Sequence, residues 1–193
     1  MTSQNSEELN NLYRLYGICA HHCANIEYRM ALLLYPATWG AHKECIDLKA
    51  KEFHQAESRG TEEYLAAWER LDETMENVDK DIEKLDELTL GMLIARLKNK
   101  TKLSDDHAKY LEDILEKRNH LIHEIWGKGL YVRRLSDLSV IKEMTNELIV
   151  YERDFKEASN WLKKQVCSVH GVIDEQSIVL IKKKSLKITG GRR

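Results

Sequence analysis

The chain has 193 residues, of which 42% are hydrophobic and 32% are charged, and its formal net charge is −2. This length is enough for one domain with a sizeable core, and the composition is that of a soluble, charge-rich helical protein rather than a disordered chain. A net charge so close to zero excludes bulk electrostatic attraction to nucleic acid, so any such binding must depend on local patches.

Helix breakers are scarce in the sequence, which contains one proline, Pro36, and nine glycines. This scarcity predicts long, uninterrupted α-helices. No run of 18 apolar residues is present, so we expect no transmembrane helix. The N-terminal segment MTSQNSEELNN is polar and acidic, which argues against a secretory signal. Four cysteines without such a signal predict reduced thiols in a cytoplasmic protein.

The first predicted helix begins after Ser3 or Ser6 and ends at about Tyr35, because Pro36 follows. A looser segment from Pro36 to Phe53 is then expected to hold a turn and a short helix. The apolar residues of the first helix recur at spacings of three and four, as on a helical packing face. They are Leu9, Leu12, Tyr13, Tyr16, Cys19, Cys23, Ile26 and Met30.

The motif CAHHC at residues 19–23 would place Cys19, His22 and Cys23 on one face of that helix. A structural zinc site needs four ligands, and no fourth ligand is evident. The pattern therefore favours buried thiols beside a histidine, with no metal and no cofactor.

A second helical segment, from Thr61 to Leu88, has the a/d spacing of a heptad repeat. From Asp47 to Glu87 the chain carries 14 acidic residues against 6 basic ones, so we expect a long acidic helical arm. This arm would pack on the first helix or on a second subunit. The seam residues are Trp68, Leu71, Met75, Val78, Ile82 and Leu85.

Three further segments complete the predicted helices. The stretch TLGMLIARLKN, residues 89–99, has helical apolar spacing. Ser104 is expected to cap a helix that runs from Asp105 to about Trp126 and ends at the glycines that follow, Gly127 and Gly129. After the predicted loop GLYVRRLSD, a last helix is expected from Asp137 or Ser139 to about Cys167. Its apolar residues include Ile141, Leu148, Tyr151, Phe155 and Leu162.

The whole chain is therefore expected to form one all-α domain over residues 1–167, with an acidic helical extension at about 47–90 inside it. Residues 168–193 form a tail with a β-prone run, Ser177 to Ile181, and with six basic and no acidic residues from Lys182 onward. Two interpretations of this tail stay open: a frayed, solubilising end, or an arm that binds phosphate groups.

The stretch EKRNHLIHEIW, residues 116–126, interrupts the apolar face of its helix with polar side chains. Arg118 falls in the middle of the predicted stripe, Asn119 lies beside it, and His123 lies one turn beyond Asn119. Burying an unpaired guanidinium costs several kcal/mol, so Arg118 must have a partner or face a cleft. The predicted buried residues of this helix are Leu111, Ile114, Leu115, Ile122 and Ile125.

Periodicity leaves two alternatives for this stretch. In one, Arg118 pairs with a carboxylate of another helix as a structural cross-brace, and Asn119 and His123 hydrogen-bond locally. In the other, the polar residues line a cleft in which Arg118 grips a phosphate and His123 transfers protons. His120 falls on a different helical face from Arg118, and we expect its side chain to be exposed.

The segment RNHLIH resembles the R-x4–6-H signature of HEPN domains, in its RN-x3-H form. The segment HCANIEYRMALLLY is similar to a HEPN first helix, and TLGMLIARL resembles the helix that precedes the motif. The resemblance covers roughly residues 7 to 165. It implies an antiparallel helical bundle that forms a homodimer, brings two copies of the motif together, and cleaves RNA without a metal ion.

The resemblance also implies roles for the motif residues. His123 would deprotonate the ribose 2′-OH or protonate the leaving 5′-oxygen, Arg118 would stabilise charge on the scissile phosphate, and Asn119 would orient one of them. Many such proteins are toxins or antiviral effectors that are controlled by an antitoxin or another defence protein. Other HEPN domains are non-catalytic dimers that bind RNA, a nucleotide or a protein, and a purely structural interaction protein is a third possibility. The basic residues that flank the motif are candidates for RNA contacts: Lys117, Lys128, Arg133 and Arg134.

Overall fold

The computed structural model describes residues 3–100, 103–126 and 137–171, and all regular secondary structure in these ranges is helical. The prediction of an all-α protein is therefore confirmed. None of the described helices is both long enough and apolar enough to span a membrane. The elements are α1 (Ser3–Ala56), α2 (Thr61–Asp86), α3 (Leu90–Lys100), α4 (Asp105–Asn119), a π-helical turn (His120–Trp126) and α5 (Leu138–His170).

Helix α1 continues through Pro36 to Ala56, so the prediction that the helix ends at about Tyr35 was wrong. A proline inside a helix has no backbone N–H, and it therefore leaves the carbonyl oxygen four residues earlier without its helical donor. That oxygen belongs to Leu32, a buried residue, and the Nε2 atom of His170 lies 2.9 Å from it. The imidazole replaces the missing donor, which removes much of the cost of continuing the helix through Pro36.

The chain divides into two compact units. The first contains residues 1–30 and 89–165. In it, α1 and α5 run parallel, since Cys19 Sγ contacts the Leu148 carbonyl at 3.5 Å and Arg29 donates to the Ser159 carbonyl at 3.0 Å. Helix α4 is antiparallel to α3, since Gly91 lies against Leu115 and Lys98 pairs with Glu112. It is also antiparallel to α5, since His107 stacks on Trp161 and Lys117 pairs with Asp154.

The core of the first unit follows most of the predicted pattern. Ile141, Leu148, Phe155 and Leu162 of α5 are fully buried, and so are Cys19, Ile26 and Met30 of α1. Tyr13 is an exception, because its side chain is 41% exposed while Leu15 is buried in its place. Both positions lie three or four residues from other members of the stripe, so periodicity alone did not distinguish them.

Two predicted helix starts in this unit are confirmed. The Ser104 side chain accepts a hydrogen bond from the backbone N–H of His107, as an N-cap does. The Asp137 carboxylate accepts one from the backbone N–H of Ser139 at the start of α5. Gly127, Gly129 and most of the predicted loop that follows lie outside the described residues.

The second unit contains residues 31–88 and the C-terminal residues from 166. Residues 31–56 of α1 and the whole of α2 form an antiparallel hairpin, which we call the α1–α2 hairpin. The ring of Phe53 lies 4.9 Å from that of Tyr64, and further from the turn the His42 imidazole contacts the Asp81 carboxylate at 3.0 Å. Gly60, with φ +114°, precedes α2 in a conformation that favours glycine.

The predicted heptad seam of α2 is buried in only one half of the α1–α2 hairpin. Val78, Ile82 and Leu85 are buried, Leu71 and Met75 are half-buried, and Trp68 is 48% exposed. The seam therefore stays in contact with solvent at its end next to the turn of the hairpin. The predicted tail from residue 172, with its β-prone run and its lysines, lies outside the described residues.

Candidate functional site

Arg118 lies in the apolar stripe of α4, between two fully buried residues, Ile114 and Leu121. Its side chain is 21% exposed, and its Nη2 atom donates to the Glu27 carboxylate of α1 at 3.1 Å. The polar interruption anticipated from the sequence therefore has an ionic partner on another helix. An ion pair that is partly shielded from solvent is stronger than a surface pair. Removing one member leaves the charge of the other partly buried and unpaired, which destabilises the fold.

The guanidinium of Arg118 retains capacity for further hydrogen bonds. Its Nη1 atom donates to the Asn119 side-chain oxygen at 3.3 Å, so the two adjacent motif residues contact each other. Its Nε atom is buried and has no hydrogen-bond partner among the described residues. Since buried donors are nearly always satisfied, this N–H is an exception in the described part of the chain.

Sequence reasoning did not identify Glu27, although the sequence contains a signal for it. Glu27 lies four residues after Cys23 and three before Met30, both of which are buried. It is therefore a charged residue in an apolar stripe, which is the same anomaly that marked Arg118. The Glu27 side chain is 31% exposed. The charged residues that interrupt the apolar stripes of α1 and α4 therefore form one ion pair with each other.

The helix that carries the motif changes geometry directly after Asn119. A single α-helix was predicted from Asp105 to about Trp126, but residues from His120 to Trp126 form a π-helical turn. In an α-helix two residues five apart are separated by about 140° around the axis. Hydrogen bonding from i to i+5 places residues five apart more nearly above one another, and such turns are frequent at functional sites. His123 lies within this turn, and its side chain is exposed.

The apolar residues around this turn differ in one respect from the prediction. Leu111, Ile114 and Ile125 are buried as expected, but Leu115 and Ile122 are half-buried. Leu121, which was not predicted, is fully buried. Leu121 and Ile122, three and four residues after Arg118, both lie near its face of the helix, and Leu121 is the one that packs into the core.

His120 belongs to a second polar cluster that it shares with α5. Its Nδ1 atom lies 3.1 Å from the Tyr151 hydroxyl and 3.3 Å from the Glu147 carboxylate. The Tyr151 hydroxyl donates to Glu147 at 3.0 Å. Burial and the hydrogen bond to Glu147 raise the pKa of Tyr151, so this hydroxyl stays protonated at neutral pH. The His120 side chain is 41% exposed, in agreement with the expected exposure.

Lys117, a predicted RNA contact, is already paired within the protein. Its Nζ atom donates to Asp113 at 2.5 Å and to Asp154 at 3.0 Å. Burial lowers the pKa of Lys117, but the two carboxylates outweigh burial and raise it. Within the described residues its charge is compensated. The other candidates for RNA contacts, Lys128, Arg133 and Arg134, lie outside the described residues.

The thiols of CAHHC are buried beside this site. Burial is the main cause that raises the pKa values of Cys19 and Cys23 to about 12, and the neighbouring Glu27 adds to the effect at Cys23. Burial also lowers the pKa of His22. Across the ranges that the structure describes, no three metal-ligating side chains are grouped so that they could hold an ion.

These pKa shifts predict which cysteines react with iodoacetamide. With a pKa of about 12, only about one thiol in ten thousand is ionised near pH 8, and the thiolate is the nucleophile. We therefore expect exposed Cys45 to be alkylated in the native protein and Cys19 and Cys23 to be alkylated only after unfolding. Mass spectrometry of peptides from native and urea-treated samples tests this. Rapid native labelling of Cys19 or Cys23 would show that this part of the core opens readily.

Taken together, the described residues form helices, with an arginine–glutamate pair across two of them just before a π-helical turn. A family profile, described as "Uncharacterized protein conserved in bacteria (DUF2225)", matches residues 21–125. The match spans more than half of the sequence, and the chain belongs to this family. The matched span includes Glu27, Arg118, Asn119 and His123. No curated protein and no solved structure matches the chain.

Proposed function

We propose that this protein is a metal-independent endoribonuclease of the HEPN type, acting as a toxin or antiviral effector. Cleavage would occur by attack of the ribose 2′-OH at a site that two copies of the chain form together. The proposal combines the sequence resemblance with one structural observation. Arg118 pairs with Glu27 at 3.1 Å just before a π-helical turn, a feature frequent at functional sites, and exposed His123 lies within that turn.

In the proposed reaction His123 accepts the proton of the 2′-OH while the 2′-oxygen attacks phosphorus. The bond from phosphorus to the 5′-oxygen breaks, and this oxygen receives a proton, which the His123 ring of the second copy supplies. The products are a 2′,3′-cyclic phosphate and a 5′-OH. A histidine suits both steps, since its pKa allows it to gain and lose a proton near neutral pH.

Arg118 would stabilise the additional charge on the phosphate in the transition state. A guanidinium is permanently charged and presents several donors in one plane, which suits two phosphate oxygens. Glu27 holds one end of the guanidinium at 3.1 Å, and Asn119 accepts from Nη1 at 3.3 Å. These contacts orient Arg118, whose side chain is 21% exposed and can meet a phosphate at its accessible edge.

The same ion pair favours the alternative function. A guanidinium paired with Glu27 also suits a cross-brace between α1 and α4 in a non-catalytic dimer that binds RNA, a nucleotide or a partner protein. In that case the affinity for an anionic ligand would depend on exposed cations rather than on His123. The two functions differ in whether RNA is cut.

The proposal is tested by incubating the full-length protein with mixed cellular RNA in EDTA and sequencing the new ends. We expect fragments with 2′,3′-cyclic phosphate and 5′-OH ends, and cleavage that is unchanged when divalent cations are removed. Binding of RNA without cleavage would support the non-catalytic dimer instead. Ends that carry 5′-phosphate would show a different reaction and would overturn the proposal.

A further inference from the structure

The end of the α1–α2 hairpin next to its turn exposes an apolar surface. Leu65 is 54% exposed, Trp68 is 48% exposed, and the Trp68 ring lies 5.4 Å from that of half-buried Phe53. Leu65 and Trp68 are three residues apart on α2 and therefore adjacent on its surface. We call this surface, formed by Phe53, Leu65 and Trp68, the hairpin patch. Adjacent large apolar groups at a helix surface are typical of a contact with another segment.

Negative charge surrounds the hairpin patch. Glu62 and Glu69 lie on α2 three residues before and four residues after Leu65, and Glu73 follows one turn later; all three are exposed. The ion pairs of the basic residues in this hairpin use other carboxylates. Those pairs are Lys49 and Arg70 with Glu52, Lys80 with Glu76, and Lys84 with Asp81.

These charges disfavour a second copy of the hairpin as the occupant of the patch. With 14 acidic residues against 6 basic ones over residues 47–87, two hairpins would repel each other. A suitable occupant presents apolar side chains followed by several cations. The C-terminal tail of this chain has that composition, because the apolar run from Ile178 to Ile181 is followed by three lysines, Lys182 to Lys184.

The tail is also long enough to reach the patch. His170, the last residue of α5, contacts the Leu32 carbonyl near the opposite end of the hairpin. From there to Phe53, residues 32–53 of α1 span about 32 Å at the rise of an α-helix. Residues 172–182 in extended form span roughly 36 Å. The first lysine of the tail can therefore reach the level of Trp68.

We propose that residues 172–193 bind along the α1–α2 hairpin of the same chain, with the apolar run on the hairpin patch and the lysines on the carboxylates of α2. The tail would then cover the patch and neutralise part of the acidic surface. Its cations would not be available to phosphate groups until the contact opened. This inference does not depend on the proposed nuclease activity.

A zero-length carbodiimide cross-linker tests the proposal, because it joins a lysine amine to a carboxylate only where the two are in contact. It is applied to an equal mixture of full-length ¹⁵N-labelled and unlabelled protein, and the linked peptides are identified by mass spectrometry. We expect links from Lys182, Lys183 or Lys184 to Glu62, Glu69 or Glu73, all within one isotope class. Their yield should fall several-fold at high salt, since exposed charge pairs are screened.

Matched charge reversals show whether the acidic face of α2 is responsible. We expect Glu69→Lys/Glu73→Lys to lower the yield of the remaining links to Glu62 several-fold. Glu7→Lys/Glu143→Lys changes the net charge equally on exposed residues of the first unit and should leave the yield unchanged. Circular dichroism confirms that each variant is folded. Links of mixed isotope class would assign the patch to the tail of a second copy, and an absence of links to α2 would overturn the proposal outright.

Discussion

Replacing His123 by alanine is expected to lower the rate of RNA cleavage by about 10²–10⁴-fold, the usual contribution of one general acid or base. Because the side chain is exposed, the free energy of unfolding should change little. The rate is measured on a defined RNA in EDTA, with enzyme in excess. His54→Ala is the matched control, since His54 is also exposed but lies on the α1–α2 hairpin. Equal rates for wild type and His123→Ala would remove His123 from the mechanism.

The largest change in stability is expected where Pro36 and His170 meet Leu32. His170→Ala leaves the buried Leu32 carbonyl without a donor and should cost about 1–3 kcal/mol of unfolding free energy. Pro36→Ala restores a backbone N–H that can donate to the same oxygen, and removing proline from a helix interior is worth up to about 3 kcal/mol. In the Pro36→Ala background, His170→Ala should therefore cost much less.

A double-mutant cycle measures this coupling from the urea unfolding curves of wild type, the two single variants and the double variant. We expect a coupling energy of about 1 kcal/mol or more, since both substitutions act on one carbonyl oxygen. If His170→Ala costs the same in both backgrounds, the imidazole does not substitute for the missing N–H. The continuity of α1 through Pro36 would then need another cause.

Capping and periodicity rules predicted the helices well where interactions between neighbours in the sequence determine the structure. Ser104 was identified as one helix start, and Asp137 or Ser139 as another, because a side-chain oxygen beside a free backbone N–H is a short-range feature. The buried faces of α1 and α5 followed from a period of 3.6 residues. Periodicity does not choose between neighbours three and four residues apart, which is why Leu121 was missed in favour of Ile122.

Features that depend on distant partners were not predicted. The proline rule failed at Pro36 because the compensating imidazole is 138 positions away in the sequence. Similarly, Arg118 was correctly recognised as needing a partner or a cleft, but the partner, Glu27, is 91 positions away. The π-helical turn has no residue signature in HLIHEIW. Its geometry depends on how neighbouring helices pack, so the change from α- to π-helix at His120 was not predicted.

The measurement that most directly tests the phosphate-binding role of Arg118 is RNA cleavage by the double variant Arg118→Met/Glu27→Leu. Replacing both members of a partly buried ion pair by apolar groups of similar size is often neutral for stability, whereas removing one is not. If Arg118 and Glu27 only brace the two helices, the apolar pair can therefore replace them. If the Arg118 guanidinium binds phosphate, the apolar pair cannot. We predict that the double variant keeps the melting temperature of wild type and loses cleavage in EDTA. Cleavage at the wild-type rate, or no cleavage by either protein, would contradict the proposed role.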